Sequence, residues 1–316
     1  MGGMLPVVAR YREFQPCPSL RPFVRAYFTF LAPPGEAEGE PQKESPGMTR
    51  EILRRERDPF WSALFADGHV SIVFYSGTGY RIEGLWHPTP NGPGTHVIGA
   101  MTSTRGTAPG DRLVQVGAYF RAAQAARFLA TPSCKFTDQA LALEHFWGRA
   151  ATSELEQQLD EARDDSVRIA HLEAALIRRS AFAKDSRRSL DLPGLASWVQ
   201  RQPSQVTVEA VANLAGVSRQ YLTRAFREDV GVTPKLYCRL SRFRGALRLL
   251  SPHVHFDGAT VAAMAGYADQ THMIAEFREF CGMTPTLFRR GRSFHPFAQQ
   301  DRPKKTEGHL DAGYAA

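Results

Sequence analysis

Arg219, Gln220, Thr223, Arg224 and Arg227 recur at helical spacing in the stretch SRQYLTRAFRED, so one helix face would carry three guanidiniums, an amide and a hydroxyl. That set suits a polyanion. An arginine can pair bidentately with guanine and a glutamine with adenine, while arginines at the edge of such a face hold phosphates. Gln220, Thr223 and Arg224 are therefore candidate base readers, and Arg219 and Arg227 candidate phosphate holders. About fifty residues later a second stretch presents Gln270, Thr271, Ile274, Ala275 and Arg278, with His272 at the edge. Ile274 and Ala275 stand where Thr223 and Arg224 stood, leaving only apolar contact there, for instance with a thymine methyl. Ile274 fits a core position equally well, and His272 a cap or packing position. The first face is expected to do most of the reading, with Gln270 and Thr271 contributing and Arg278 clamping the backbone.

Two nearly repeated phrases must position these faces: AGVSRQYLTRAFREDVGVTP, residues 215–234, and AGYADQTHMIAEFREFCGMTP, residues 265–285. In the first copy Val208, Val211, Ala212 and Leu214 give an apolar helical face, and Gly216 supplies the positive φ of a tight turn. Ser218 can cap a second helix, which buries Leu222, Ala225 and Phe226 and is closed by Gly231 and Pro234. In the second copy Ala262, Gly266, Met273, Phe277, Gly282 and Pro285 take the places of Ala212, Gly216, Leu222, Phe226, Gly231 and Pro234, with one extra residue in the turn. Each copy has the spacing of a helix-turn-helix. Between them Leu236, Leu240, Phe243, Leu247 and Leu250 recur at helical spacing, which predicts a connecting helix of about 24 Å. Neighbouring major-groove faces on one side of B-DNA lie about 34 Å apart.

Leu195 to Arg290 resembles the DNA-binding domain of the AraC/XylS family of bacterial transcription regulators, and GYADQTHMIAEFREFCGMTPTLFRR is the most specific stretch of the likeness. It covers about a third of the chain. The earlier segment VGAYFRAAQAARFLATPSCKFTDQALALEHFWG resembles the N-terminal domain of one subgroup of these regulators. The resemblance implies two helix-turn-helix units joined by a long helix and control of transcription initiation, with double-stranded DNA and RNA polymerase as partners. It also implies an N-terminal module that binds a small-molecule effector, forms a homodimer, or both.

The remainder of the chain is read from pattern. The segments RAYFTFLA, HVSIVFYSG, YRIEGLWHP, THVIGAMTS and RLVQVGAYF are aromatic and β-branched runs separated by Gly and Pro, which predicts strands. The expected class is α+β: a β-rich, barrel-like module over 1–148 with a mobile loop at 33–47, then a helical hairpin at 149–183. A linker at 184–194 leads to the all-α double helix-turn-helix domain at 195–292. Its units span 207–234 and 259–285, with the connecting helix at 235–251, and a disordered tail follows at 293–316. In the hairpin, Ser153 and Glu156 form an expected capping box, and Leu155, Leu159, Ile169, Leu172 and Leu176 mark apolar stripes, read as intramolecular packing or a subunit interface. Trp61, Tyr80, Trp86, His87 and His96 could line a pocket or simply fill a core.

The net charge is +7. Residues 190–292 hold thirteen Lys and Arg against eight Asp and Glu, an excess of about +5 that suits a duplex binder. Arginines on the connecting helix, among them Arg239, Arg242, Arg244 and Arg248, are spread around it and are expected to face DNA, solvent or acidic neighbours. Cys17, Cys134, Cys238 and Cys281 are widely separated, which suggests neither a zinc knuckle nor a redox pair, and a reduced, cytoplasmic setting is expected. There is no apolar run of membrane-spanning length, and no membrane, metal or cofactor is expected. No GxSxG elbow, P-loop or dinucleotide fingerprint occurs, so no enzyme is expected. Two alternatives stand beside the regulator: an interaction protein that keeps the fold without specific DNA binding, and a repair regulator using Cys17 as alkyl acceptor, for which Cys17 lacks cysteine neighbours.

Overall fold

The computed structural model describes residues 10–32, 62–64, 66–76, 80–82, 94–109, 113–181, 190–202, 206–250 and 256–290. The stretch 33–47, the tail 293–316, Trp61, Trp86, His87 and residues 184–189 of the expected linker lie outside the described residues.

Alternation of side chains builds the N-terminal half. Strands β1 (Arg10–Phe14), β2 (Val24–Ala32), β4 (Ser71–Ser76), β6 (Gly94–Ile98), β8 (Leu113–Phe120) and β9 (Ala140–Ala142) form a six-stranded antiparallel sheet in the order β1-β2-β8-β4-β6-β9. A smaller antiparallel sheet joins β3 (Ser62–Leu64), β7 (Arg105–Pro109) and β5 (Tyr80–Ile82) in the order β3-β7-β5. On the large sheet Tyr27, Ile72, Phe74, Val97, Val116 and Ala118 share one core, and their strand neighbours Phe28, Val73, Tyr75, Ile98 and Tyr119 another. This period of two is what puts both faces to use. His96 is buried and its ring lies 5.7 Å from that of Tyr75.

Among the described residues four α-helices, α1 (Ala125–Leu129), α2 (Glu144–Trp147), α3 (Arg149–Glu161) and α4 (Asp165–Ala181), and one 3-10 turn, Ser133–Lys135, come between β8 and the C-terminal part. The apolar stripes of α3 and α4 pack onto the sheet, with Leu155, Leu159, Leu172 and Leu176 essentially inaccessible. The expected capping box does not form. Gly148, at φ +79°, lets α3 start at Arg149, which leaves Ser153 inside the helix. Glu156 instead accepts the Thr95 backbone N–H at 2.6 Å, tying α3 to β6.

In the C-terminal part every described regular element is a helix: α5 (Leu192–Arg201), α6 (Val208–Ala215), α7 (Arg219–Asp229), α8 (Pro234–Leu249), α9 (Gly258–Ala265), α10 (Gln270–Cys281) and α11 (Pro285–Arg290). The polar break ends earlier than expected: Asp191 accepts the Gly194 N–H at 2.9 Å, and Pro193 in the first turn lacks only a donor that the helix does not need there. Likewise Pro234, read as the end of α7, opens α8, whose Thr233 accepts the Leu236 N–H at 3.3 Å. Leu195, Val199, Val211, Leu222, Phe226 and Tyr237 make one core; Leu240, Phe243, Leu247, Met273, Phe277 and Phe280 make the next. Helix α8 belongs to both. The N-terminal half contributes as well, with Ala100 in the first core and Ala66 in the second.

Between the halves lies a buried polar cluster. His69 Nε2 faces Arg244 NH1 at 3.2 Å and Gln200 Nε2 at 3.4 Å, and its Nδ1 lies 3.5 Å from Asp67 Oδ2. Gln200 also donates to the Tyr237 hydroxyl at 2.6 Å. Burial, then the Arg244 charge, holds the His69 pKa below the usual histidine value, against the pull of Asp67; Arg25 adds to the lowering. Burial alone would raise the Asp67 pKa, but its bonds and charge contacts with His69, and Arg244, hold it below the carboxylate range. In the unfolded chain His69 takes up its proton near pH 6.5, whereas in the fold it does so lower. Its contribution to stability is therefore complete above about pH 6.5 and is lost as the pH falls toward the folded pKa. The melting temperature should drop between pH 7.5 and 5.5, and His69→Gln should flatten that drop. An unchanged slope in the variant would place the pH sensitivity elsewhere.

Candidate nucleic-acid interface

In the first unit each local device has a physical reason. Thr207 caps α6 by accepting the Ala210 N–H at 3.1 Å, and Gly216 ends it in the left-handed conformation at φ +63°. Ser218 then accepts the Tyr221 N–H at 3.2 Å and starts α7. Leu222, Ala225 and Phe226 are buried, which turns Arg219, Gln220, Arg224 and Arg227 outward. These four and the half-buried Thr223 line one open groove together with Glu228 and Cys134. The Thr223 hydroxyl donates to Arg219 O at 2.8 Å, so toward a ligand it is an acceptor. Arg224 lies 5.5 Å over the Tyr221 ring, which restricts a long side chain before any ligand arrives. The groove thus offers three cationic forks, an amide and a hydroxyl oxygen side by side.

The second unit is built alike, with acids as caps. Asp257 accepts the Thr260 N–H at 2.7 Å, which helps keep its carboxyl below the ordinary range, and Asp269 accepts the His272 N–H at 2.7 Å. Gly266, at φ +86°, is the counterpart of Gly216. Met273 and Phe277 are buried; Gln270, Thr271, Ala275 and Arg278 are exposed, and Ile274 is half-buried. The Gln270 amide lies over Gly258, where any Cβ would overlap it. His272 is exposed but its ring meets Tyr267 edge-on at 5.4 Å, and its Nε2 lies 3.5 Å from Glu276 Oε1. Its position is thus determined by neighbours within the fold. The second face has fewer hydrogen-bonding groups than the first.

Several basic residues serve the fold. Arg239 Nε donates to Glu276 Oε1 at 2.8 Å, Arg242 NH2 to the same oxygen at 3.3 Å, and Arg239 also pairs with Glu279. Arg289 donates to Phe256 O at 2.7 Å, and Arg244 reaches His69. Glu276, only 3 % exposed, was missed in the sequence. A signal was there: it occupies the place that buried Ala225 has in the first copy. Arg219, Arg227, Lys235 and Arg278 remain exposed.

Among the described residues no helix is long and apolar enough to cross a membrane. Cys17 is half-buried with its thiol 3.1 Å from Ser19 Oγ.

Comparison with known proteins adds a lineage. A helix-turn-helix domain family matches residues 211–291, and a domain of unknown function (DUF6597) matches residues 12–142. The chain is 28 % identical over 139 residues to the HTH-type transcriptional activator RhaS of Escherichia fergusonii, covering 43 % of this chain and 49 % of that protein. It is also 28 % identical to the RhaS of Enterobacter sp. over 119 residues, 37 % of this chain and 42 % of the relative. The chain spans about half the length of the curated relatives it matches. Among solved structures, the DNA-binding domain of AdpA in complex with a target DNA is 27 % identical, covers 32 % of this chain and 91 % of its own, and has a TM-score of 0.30. ToxT from Vibrio cholerae is 12 % identical over 72 % of this chain and 92 % of its own, with a TM-score of 0.42. The curated relatives of this chain are HTH-type transcriptional activators. Residues 211–291 thus match a helix-turn-helix domain family, and the doubled helix-turn-helix with its connecting helix is the part of the chain that is similar to AraC/XylS-type transcription regulators.

Proposed function

We propose that this chain binds double-stranded DNA sequence-specifically, docking α7 and α10 in successive major grooves along one flank of the duplex, and so controls transcription together with RNA polymerase. The observation that carries this reading is the repeat itself: two capped helix pairs with outward polar faces, joined by α8, a single helix of 16 residues. Gln220 and Arg224 read base edges, with Thr223 as acceptor; Arg219, Arg227 and Arg278 hold phosphates; Gln270 and Thr271 add contacts and Ala275 a methyl. His272 steadies α10 rather than reading bases. The N-terminal half serves as an effector-binding or dimerising module, and the setting is the cytoplasm.

Selection of bound sites from a random duplex pool by the full chain tests the reading. An enriched motif with two contacted segments on one face is expected; no enrichment would leave only an interaction protein of the same fold. With a selected site in hand, Arg224→Ala should cost about 1–3 kcal/mol there and relax preference at one position. Gel shifts with selected and random DNA check this, and equal weakening on both would remove Arg224 from the base readers.

A further inference from the structure

We propose that the N-terminal domain is a two-point clamp on α7 and α10 that sets their mutual placement, with Ser133, Thr137, Thr104 and Asp138 as its positioning residues. The consequence for spacing between contacted DNA segments rests on the proposed reading; the clamp itself does not.

The last carbonyls of a helix have no partner within it. At the end of α7 the N-terminal domain supplies two: Ser133 Oγ donates to Asp229 O at 2.9 Å and Thr137 Oγ1 to Gly231 O at 2.7 Å. At the end of α10 it supplies another, the Thr104 N–H donating to Phe280 O at 2.7 Å. Asp229 lies three residues after Phe226, and Phe280 three after Phe277, so the same carbonyl of each repeat is engaged. Gly231, at φ +97°, passes so close that an added Cβ would lie 2.9 Å from Thr137 Oγ1.

The two prongs are one body. Asp138 Oδ1 accepts the Thr102 N–H at 2.7 Å, and Oδ2 accepts the Thr102 hydroxyl at 2.5 Å. The Asp138 N–H returns to Ala100 O at 3.2 Å, and the Gly99 N–H donates to Gln139 O at 2.9 Å. Asp138 holds φ +56°, a left-handed conformation that aspartate tolerates better than most residues and that its two bonds to Thr102 fix here. Gly99 lies so near Phe136 O that any Cβ would overlap it. Helix α8 connects the two units, and its junctions with them are where the units could tilt. A second link, through the N-terminal domain, closes the loop into a truss. None of the four positioning residues belongs to the outward faces of α7 or α10.

A rigid pair of readers tolerates only a matching distance between its two sites, whereas a loosely joined pair tolerates several. The test uses the full chain, a selected operator, and copies of it with one base pair inserted or deleted between the contacted segments. Wild type should lose roughly 30-fold on the altered spacings, and Ser133→Ala/Thr137→Val or Asp138→Ala only about 3-fold. Binding to DNA carrying a single segment should stay unchanged, and Thr137→Ser should behave as wild type. Amide hydrogen exchange in the free protein reports without DNA: the Thr104 N–H should be protected in wild type and exposed in Asp138→Ala. Fast exchange of the Thr104 amide in wild type, or variants that keep the full spacing penalty, would overturn the clamp. If wild type selects no operator, the DNA reading fails while the exchange data still decide the clamp.

Discussion

Glu276→Ala should lower folding stability by about 3 kcal/mol, far more than its position on a helix of mixed polarity suggests. The carboxylate is 3 % exposed and holds two guanidiniums of α8, Arg239 at 2.8 Å and Arg242 at 3.3 Å. Arg239 and Arg242 are themselves 25 % and 16 % exposed, so water recovers part of what they lose, which places the cost at the lower end of that for breaking a buried pair. Arg239 also lies 4.8 Å over the Phe280 ring and Arg242 5.8 Å over Tyr267, so both would leave apolar partners if they turned toward solvent. Burial and the Glu276 charge push the Tyr267 hydroxyl well above its usual pKa, keeping it neutral beside the pair. Glu279, 57 % exposed, also pairs with Arg239, and Glu279→Ala should cost under about 1 kcal/mol. Urea unfolding of both variants separates the cases. Equal small losses would mean that Glu276 does not hold α10 on α8.

What could be read in the sequence was local. Gly216 and Gly266 as left-handed caps, Ser218 as a cap, and Leu222, Phe226, Met273 and Phe277 as core all follow from contacts within four or five residues of each other. The same reasoning failed where a local signal had a stronger distant competitor. Ser153 and Glu156 have the spacing of a capping box, yet Glu156 reaches across 61 residues to Thr95. Strands β3 and β9, three residues each, are too short to show alternation, and β7 contains Gly106 and Pro109, so only their partners in the sheets define them. Which side of α7 faces outward was legible because Leu222, Ala225 and Phe226, at helical spacing, fix the buried side. The strut arginines could not be sorted, because whether an arginine meets phosphate or Glu276 depends on residues more than thirty positions away. The clamp was invisible for the same reason: Ser133 and Asp229 are 96 residues apart.

That sorting of the arginines yields a quantitative expectation for DNA binding. Each phosphate neutralised by a protein cation adds about −0.9 to the slope of log affinity against log salt concentration. Thirteen basic residues between 190 and 292 would suggest a steep slope if all of them met phosphate. Arg239, Arg242, Arg244 and Arg289 are occupied within the fold, however, and Arg224 is assigned to a base. Among the described cations of α7, α8 and α10, Arg219, Arg227, Lys235 and Arg278 are the other exposed ones, and counting those four gives a slope of roughly −4. Between about 50 and 200 mM salt, affinity for a selected site should therefore fall on the order of a hundredfold. Arg227→Ala should reduce the slope by about one and weaken random and selected DNA alike, whereas Arg239→Ala should leave the slope unchanged while lowering stability. Fluorescence anisotropy titrations across that salt range measure all three chains. A slope near zero would mean that α7 and α10 do not meet the backbone, and a slope near −10 that the strut arginines leave Glu276 and His69 when DNA binds.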